Sequence, residues 1–488
     1  MNDDVLVSST QELKEEEIIH VATQNSFKQY MFFWSAQRLS ILGSSVVQFV
    51  IIWWITITTQ SELLLGLASL IGFGPAVLLS PFAGVLVDRL NRKMLIVVSD
   101  ALQGIAALAL VILFMTNTAS LWAILLILGI RACFAPFHNT TINAIVPTMV
   151  PKDKLSRLNG LNFFVNGIIS VLGPVLGALL LAVLDIGWVL WIDIITLLLA
   201  LIPLAFILIP SVEKVDQEKL KVKTVFTDIA EGVRTLAGIK GLISLLIVFM
   251  LCNFFITPFS TLLPLFVEKI HLGTEADYAI VTSFMQAAMI IGGLAMVIFK
   301  GFKKKNILVC YLSIMWTFVF ISILPWVPIG RFWLMGGVLF VTLLVIPVIN
   351  VTINTTFQVL IPQDKFGRAS SALGTITSAI TPLGMVLAGI IGELVGIKLV
   401  FICSPIIAFV IVNILWVATP IRKLDKTITK RFEELEEIEQ EKAEKEEQIE
   451  AKQRSEITQE EMGVSTQEKA STTKKKIPLP QTEPSLSE

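Results

Sequence analysis

Long apolar stretches alternate with short polar loops along most of the chain. Twelve of these stretches are predicted to be helices, near residues 28–58, 63–88, 94–116, 119–147, 155–184, 187–210, 239–267, 276–300, 306–326, 331–361, 367–395 and 398–420. About 20 consecutive apolar residues are enough for a helix to cross a bilayer. The pattern therefore predicts an all-α integral membrane protein with twelve transmembrane helices.

Three polar segments divide the chain. Residues 1–27 are polar and acidic, residues 211–238 form a lysine-containing linker, and residues 421–488 form a charged tail that ends in a Pro, Ser, Thr and Lys-rich stretch. Such composition is typical of disordered polypeptide, so we expect the tail to be partly disordered. Six helices are expected in each of the two segments between them, residues 28–210 and 239–420.

A repeated stretch supports this division. Asn143–Arg157 reads NAIVPTMVPKDKLSR, and Asn354–Arg368 reads NTTFQVLIPQDKFGR. An offset of 211 residues aligns Pro151 with Pro362. Internal repeats of apolar helices are typical of transporters, so the sequence predicts two pseudo-symmetric six-helix bundles.

Basic residues concentrate in alternate loops, which predicts the orientation. These loops carry Arg89, Arg92, Lys93, Lys152, Lys154, Arg157, Lys303, Lys304, Lys305, Lys365 and Arg368. The opposite loops carry acids such as Glu62 and Glu268. The positive-inside rule places both termini, the linker and the tail in the cytoplasm. We expect a multi-pass protein of the plasma membrane.

Composition excludes several function classes. Charged residues make up 16% of the chain, against about 25% in soluble proteins. The four cysteines and three histidines show no metal-ligand spacing, and no G-x-x-x-x-G-K-[ST] loop is present. We expect no metal, no cofactor, no enzymatic activity and no nucleic-acid partner.

A charged loop between the second and third helices is the first candidate for a mechanism. It combines Gly84, Asp88, Arg89, Arg92 and Lys93. An acid at a helix end can meet basic residues or a helix N-terminus. We predict a conformational latch that holds the two halves in one state and releases them in the other.

This loop resembles the signature loop of the major facilitator superfamily. Further similarity, in chain order, lies at Trp34–Gln37, Ser99–Asp100, Arg131–Pro136, Ala144–Pro147, Asn159 and Ile192–Asp193. Together these segments resemble the drug-efflux branch that includes the macrolide-efflux proteins, over about residues 28–420. The resemblance implies export of small hydrophobic or amphiphilic compounds, by a monomer, through proton antiport with alternating access.

A glycine-rich segment of the fifth helix adds to the resemblance. Gly167, Gly173, Pro174 and Gly177 are similar to the antiporter motif of family exporters. Ordinary helix packing is the alternative interpretation, because small residues let membrane helices approach closely.

Ionisable residues inside the predicted helices are candidates for proton coupling, since a charge in the membrane usually faces a partner or a cavity. Arg131 matches the arginine implicated in coupling in the family, and Asp100 and Asp193 are the intramembrane acids. The alternative is that both acids only stabilise the N-terminal bundle. His138 is expected to form a hydrogen bond near the cytoplasmic end.

Polar side chains at intramembrane positions are candidates for a substrate cavity near aromatic residues. They are Gln37, Arg38, Gln48, Asn139, Asn143, Asn253, Gln286, Asn350 and Asn354. Such residues also occur at ordinary helix interfaces.

Two alternatives to proton-driven export stay open. Helices one, four, seven and ten, which border the cavity in the family, carry no obvious buried acid, so a uniporter or a lipid or metabolite transporter of the same fold is possible. The other alternative is a non-transporting membrane sensor or scaffold that acts through the acidic tail.

Overall fold

A computed structural model describes residues 24–207, 209, 222–298, 306–361, 363–434, 437, 440 and 441. Twelve helices of this described part are long and apolar enough to cross a membrane, which confirms the predicted number. The helices of the N-terminal half are α1 (Gln24–Thr59), α2 (Glu62–Arg89), α3 (Arg92–Met115), α4 (Leu121–Met149), α5 (Lys152–Leu181) and α6, in two segments (Ile186–Val189 and Trp191–Phe206).

Several helices of the C-terminal half are interrupted. They are α7 (Leu242–Leu265, continued by the π-helical turn Phe266–Ile270), α8 (Glu275–Ile298), α9 (Asn306–Ile321, followed by the 3-10 turn Leu324–Trp326), α10 (Phe332–Leu343 and Ile346–Leu360), α11 (Gln363–Ala379 and Thr381–Val395) and α12 (Ile397–Ala418). Pro347 and Pro382 lie at the start of the second segments of α10 and α11. Proline lacks a backbone N–H and therefore favours a break there.

Short polar residues begin three of the N-terminal helices. The side chains of Ser61, Asn91 and Ser120 accept hydrogen bonds from the backbone N–H groups of Leu64, Met94 and Ala123. Each bond satisfies an N–H group that has no partner inside the helix. These caps fix where α2, α3 and α4 begin.

A helix lies within the segment that the sequence marks only as a polar linker. Val222–Ala237, the connecting helix, packs against the first segment of α11. Its apolar residues Val225, Ile229, Val233 and Leu236 recur at helical spacing, and Leu236 is fully buried.

Contacts divide the chain into two compact units, residues 1–426 and residues 427–488. The twelve spanning helices lie in the first unit, and residues 427–434 of the second are helical.

The apolar core is distributed unequally between the two ends of the helix assembly. We call the end that carries Gln60, Ser61 and residues 271–274 the closed end. There a single core contains residues of both halves, and Tyr278 of α8 stacks on Phe49 and Trp53 of α1 at centroid distances of 5.3 and 5.7 Å.

At the opposite end, a second core cluster draws only on the N-terminal half among the described residues. It includes Tyr30, Phe33, Ile145 and Leu204. The described apolar core that the two halves share therefore lies at the closed end. Apolar side chains such as Leu126 (67% exposed) and Val297 (80% exposed) cover the outside of the assembly, as expected of a surface that faces lipid.

Candidate functional site

Two buried pairs of a basic and an acidic side chain are built on α4. In the first, Arg131 Nη2 lies 2.7 Å from Asp193 Oδ2 on α6. Ser44 of α1 donates a hydrogen bond of 2.7 Å to the other carboxylate oxygen of Asp193. Both carboxylate oxygens therefore have partners, and the pair ties α1, α4 and α6 together.

The second pair joins α4 to α3. His138 Nδ1 lies 2.6 Å from Asp100 Oδ1, and both side chains are buried, with 12% and 3% of their surfaces exposed. The contact is close without the alignment of a hydrogen bond, and Asp100 Oδ2 is buried without a hydrogen-bond partner. His138 follows Arg131 by seven residues, two helical turns, so both bases lie on one face of α4. The pairing was not foreseen from the sequence, and the hydrogen bond expected of His138 is not among the described contacts, because its Nδ1 is buried without a hydrogen-bond partner.

A cavity of about 390 Å³ lies within the C-terminal half, between α7, α9, α10 and α11. Three of the residues predicted to form a substrate cavity, Asn253, Asn350 and Asn354, line it. The remaining lining residues are mostly apolar and aromatic, with Gln358 and several hydroxyl groups. Among the side chains that the structure describes, the lining contains no formally charged residue.

A second cavity, of about 380 Å³, lies among α1 to α4 and Met385 of α11. It brings together the predicted residues Gln48 and Arg131 with Gln103, which the sequence analysis did not select. The guanidinium of Arg131 has Asp193 as its partner, so this cavity combines an amide surface with a neutralised charge.

The other predicted cavity residues lie elsewhere. Gln37 is buried, and its amide nitrogen has no hydrogen-bond partner. Arg38 donates a hydrogen bond of 2.6 Å to Asn166 and lies over the ring of Trp34. Gln286 lies half-buried on α8.

Two asparagines on α4, Asn139 and Asn143, are exposed. The offset of 211 residues aligns them with Asn350 and Asn354 on α10, which are also exposed. Helices α4 and α10 thus carry equivalent pairs of amides, each pair spaced by one helical turn.

Only part of the predicted latch lies among the residues that the structure describes. Arg92 donates a hydrogen bond of 3.0 Å to the backbone oxygen of Ala144, and Lys93 donates to the backbone oxygens of Ala205 and Ile207. These contacts tie the start of α3 to α4 and to the end of α6. The side chains of Asp88 and Arg89 lie outside the described part, and a Cβ added to Gly84 would meet nothing within 4 Å. Among the described residues, no helix approaches Gly84 closely in this conformation.

The glycines of α5 do contact neighbouring helices. A Cβ at Gly177 would lie 2.7 Å from Phe49, and one at Gly173 would overlap Ser45, both on α1. At Gly167 it would overlap Ile290 on α8, in the other half of the protein. The segment predicted as an antiporter motif therefore forms a close helix interface between the halves and within the N-terminal half.

A polar cluster at the closed end links the halves and was missed by the sequence analysis. Lys269 Nζ lies 2.9 Å from Glu62 Oε1, which connects the end of α7 to the start of α2. Glu393 Oε2 on α11 accepts hydrogen bonds from the Ser61 hydroxyl and the Leu63 backbone N–H. The sequence marks Glu62 only as an acid in a sparsely basic loop, because loop charge shows topology and not which loops meet.

Glycines bring α2 and α11 together beside this cluster. A Cβ at Gly66 would lie 2.7 Å from the backbone oxygen of Met385, and one at Gly389 would lie 2.8 Å from the backbone oxygen of Glu62. Only glycine permits such backbone proximity without displacing a helix.

Within the described ranges, no cluster of three or more His, Cys, Asp or Glu side chains could hold a metal ion.

Comparison with known proteins agrees with this architecture. The chain is 28% identical over 406 residues to macrolide efflux protein A of Streptococcus pyogenes, which covers 82% of this chain and 98% of the relative. It is 22% identical to the multidrug efflux pump Tap of Mycolicibacterium fortuitum, over 74% of this chain and 88% of the relative.

Solved structures share the fold. A bacterial homologue of the iron transporter ferroportin in an inward-facing state gives a TM-score of 0.62 at 15% identity, over 80% of this chain and 98% of the other. A POT family transporter gives 0.63 at 12% identity, over 82% and 98%. The family model of the Major Facilitator Superfamily matches residues 33–382. With twelve spanning helices and a match over most of its length, the chain belongs to the Major Facilitator Superfamily.

Proposed function

We propose that this transporter exports small hydrophobic or amphiphilic compounds, of drug or macrolide type, by proton antiport with alternating access. The proposal rests above all on the cavity of the C-terminal half, where Asn253, Asn350 and Asn354 lie among aromatic rings. A few polar groups in an apolar, aromatic wall are typical of sites for drug-sized ligands. Amides suit an uncharged amphiphile, because they can donate hydrogen bonds and accept them.

Alternating access is supported by the unequal packing of the two ends. The shared core and the Glu62–Lys269 pair join the halves at the closed end. At the opposite end the described core cluster belongs to the N-terminal half alone. Rocking of one bundle against the other would open the closed end and bring the two halves together at the opposite end.

The proposed orientation follows the basic loops. The loop at Arg92 and Lys93 would face the cytoplasm, together with both termini, and the closed end would face the outside of the plasma membrane. The conformation described here would then give access from the cytoplasm, from which an exporter collects its substrate. The transporter would work as a monomer, since one chain carries both six-helix halves.

The experiment is transport of radiolabelled erythromycin by the full chain in proteoliposomes, with an imposed pH gradient and a pH-sensitive dye. Movement of erythromycin coupled to opposite movement of protons is expected. Erythromycin movement without proton movement would favour a uniporter. Absence of transport for erythromycin, ethidium and lysolipid would overturn the exporter assignment.

Two variants separate the exporter from a sensor or scaffold. Asn354→Leu removes a polar group from the cavity and is expected to raise the KM for erythromycin at least several-fold. Truncation after Lys426 removes the second compact unit and is expected to leave transport intact. The sensor hypothesis predicts the reverse, with function lost on truncation and unaffected by Asn354→Leu.

A further inference from the structure

Two buried pairs of a basic and an acidic side chain lie on α4, and their chemistry differs. The Arg131 guanidinium stays protonated at any physiological pH. Its partner Asp193 has both oxygens engaged, one by Arg131 and one by Ser44. A proton added to Asp193 would break two good contacts. This pair is therefore a fixed structural charge pair.

The Asp100–His138 pair has the opposite properties. An imidazole is the side chain that ordinarily gains and loses a proton between pH 5 and 8. Asp100 Oδ2 is buried without a partner, and Asp100 is only 2% exposed. Neutral histidine beside the carboxylate leaves a net charge of −1 in an apolar interior, whereas imidazolium beside the carboxylate leaves none. Burial makes a net charge unfavourable, and it therefore favours binding of a proton by the pair.

Other charged and titratable groups on the elements packed around this pair mostly have partners of their own. Arg131 and Asp193 bind each other, Arg92 and Lys93 donate to backbone oxygens, and Arg38 donates to Asn166. Glu62 pairs with Lys269 at the far end of α2. Tyr30 is buried in α1, Lys28 lies near the start of α1, and the side chains of Asp88 and Arg89 are outside the described part.

We propose that Asp100 and His138 together form the site that takes up and releases the transported proton, with Arg131–Asp193 as a permanent charge pair two helical turns away. The inference rests on the proposed antiport and assigns its proton site. In the deprotonated state a neutral His138 lies beside the Asp100 carboxylate, and the incoming proton adds to the pair and changes its net charge from −1 to zero. Release of that proton to the other side restores the charge.

Location supports a link to conformational change. His138 immediately precedes Asn139, which is exposed on α4, and its own side chain keeps 12% of its surface accessible. Protonation changes the attraction between α3 and α4, close to the Arg92 contact that joins the same two helices. Protonation of the Asp100–His138 pair can therefore change how tightly the helices of the N-terminal bundle are held together at the end opposite the closed end.

The first test is direct proton binding by the purified full chain. The chain contains three histidines, so nitrogen NMR of protein labelled with 15N-histidine gives few signals, and the signal absent from His138→Gln is that of His138. We expect the His138 signal to change between pH 5 and 9, and we expect this change to differ in Asp100→Asn. An imidazole that keeps one protonation state across this range overturns the proposal, even if His138→Gln folds poorly.

The second test is transport of radiolabelled erythromycin in proteoliposomes. His138→Gln keeps a hydrogen-bonding group and cannot titrate. We expect it to lose at least tenfold in pH-gradient-driven movement while exchange of erythromycin without a gradient is retained. Asp193→Asn, the matched change in the fixed pair, is expected to lower both activities together.

The outcomes separate this inference from the proposed function. Proton-linked transport in the unmodified chain that persists in His138→Gln would overturn the proton site and leave antiport standing. Erythromycin transport without proton movement in the unmodified chain would overturn antiport itself. Loss of both gradient-driven movement and exchange in His138→Gln, with normal folding, would assign a purely structural role to the pair.

Discussion

The Lys269–Glu62 pair at the closed end is the most direct place to perturb the conformational equilibrium. Lys269→Met removes the cation and keeps the length of the side chain. It leaves the carboxylate of Glu62, whose side chain is 6% exposed, without the partner at 2.9 Å, and it also removes the hydrogen bond to the Gln60 backbone oxygen. The closed end alone loses these contacts, so the variant should favour the conformation in which this end is open.

The free energy by which Lys269→Met destabilises the closed conformation lies between two limits. Exposed ion pairs contribute about 0–1 kcal/mol, whereas removing one partner of a buried pair costs about 3–5 kcal/mol. Glu62 is buried and Lys269 is 43% exposed, so we expect a loss of about 1–3 kcal/mol, which corresponds to a change of roughly 5- to 150-fold in the equilibrium.

Distance measurement between spin labels checks this expectation. Labels at Thr118→Cys and Ile329→Cys, both exposed near the closed end, report the separation of the two halves once the four native cysteines have been replaced. Lys269→Met should enlarge the population with long distances. Lys398→Met is the matched control, because Lys398 contacts Trp326 within the C-terminal half and has no partner in the other half among the described contacts.

The double variant Glu62→Gln, Lys269→Met, together with the single variants, forms a double-mutant cycle. Removing both charges leaves no unpaired buried carboxylate, so it should restore part of the closed population. Distance distributions that are the same in Lys269→Met, Lys398→Met and the unmodified protein would refute the reasoning.

Three further predictions follow from described contacts. Gly66→Ala places a Cβ 2.7 Å from the backbone oxygen of Met385 and should reduce closure in the same distance assay, whereas Gly72→Ala on the same helix, which would meet nothing within 4 Å, should not. Arg131→Gln leaves a buried carboxylate without its cation and should lower unfolding stability by about 3–5 kcal/mol, measured by thermal denaturation in detergent; an unchanged melting temperature would contradict this. Burial, and then the charge of Lys398, lower the pKa of His271, and a hydrogen bond with the backbone opposes this shift. Because the folded state binds that proton less readily than the unfolded chain, stability should fall as pH drops below about 6.5, and this fall should be smaller in His271→Gln.

The hydrophobic pattern of the sequence was enough to predict the spanning helices and their number. The reason is that each apolar run must satisfy its backbone hydrogen bonds internally in a bilayer. The pattern also located Asp100, Arg131 and Asp193 as unusual charges. It did not indicate which charges meet, since Asp100 and His138 lie on different helices and their contact depends on the rotation of each helix. Periodicity within one helix does not contain that information.

Contacts between the halves were the least accessible to sequence reasoning. Glu62 and Lys269 are separated by more than two hundred residues and lie at helix ends, where composition indicates only topology. Gly66 and Gly389 resemble any other membrane glycine in sequence, and their importance appears only when two backbones are seen to approach. The domain boundaries, the proton site and the substrate residues stay predictions.

The π-helical turn Phe266–Ile270 gives α7 one place where its length can change without turning the rest of the helix. Successive residues of a regular α-helix are rotated by about 100° around the axis, and a π-helical turn holds one residue more than a regular α-helical turn. Deleting a single residue earlier in α7 would therefore rotate Lys269 away from Glu62 by more than a quarter of a revolution. Deleting one within Phe266–Ile270 would instead restore a regular turn and leave the residues on either side facing as before.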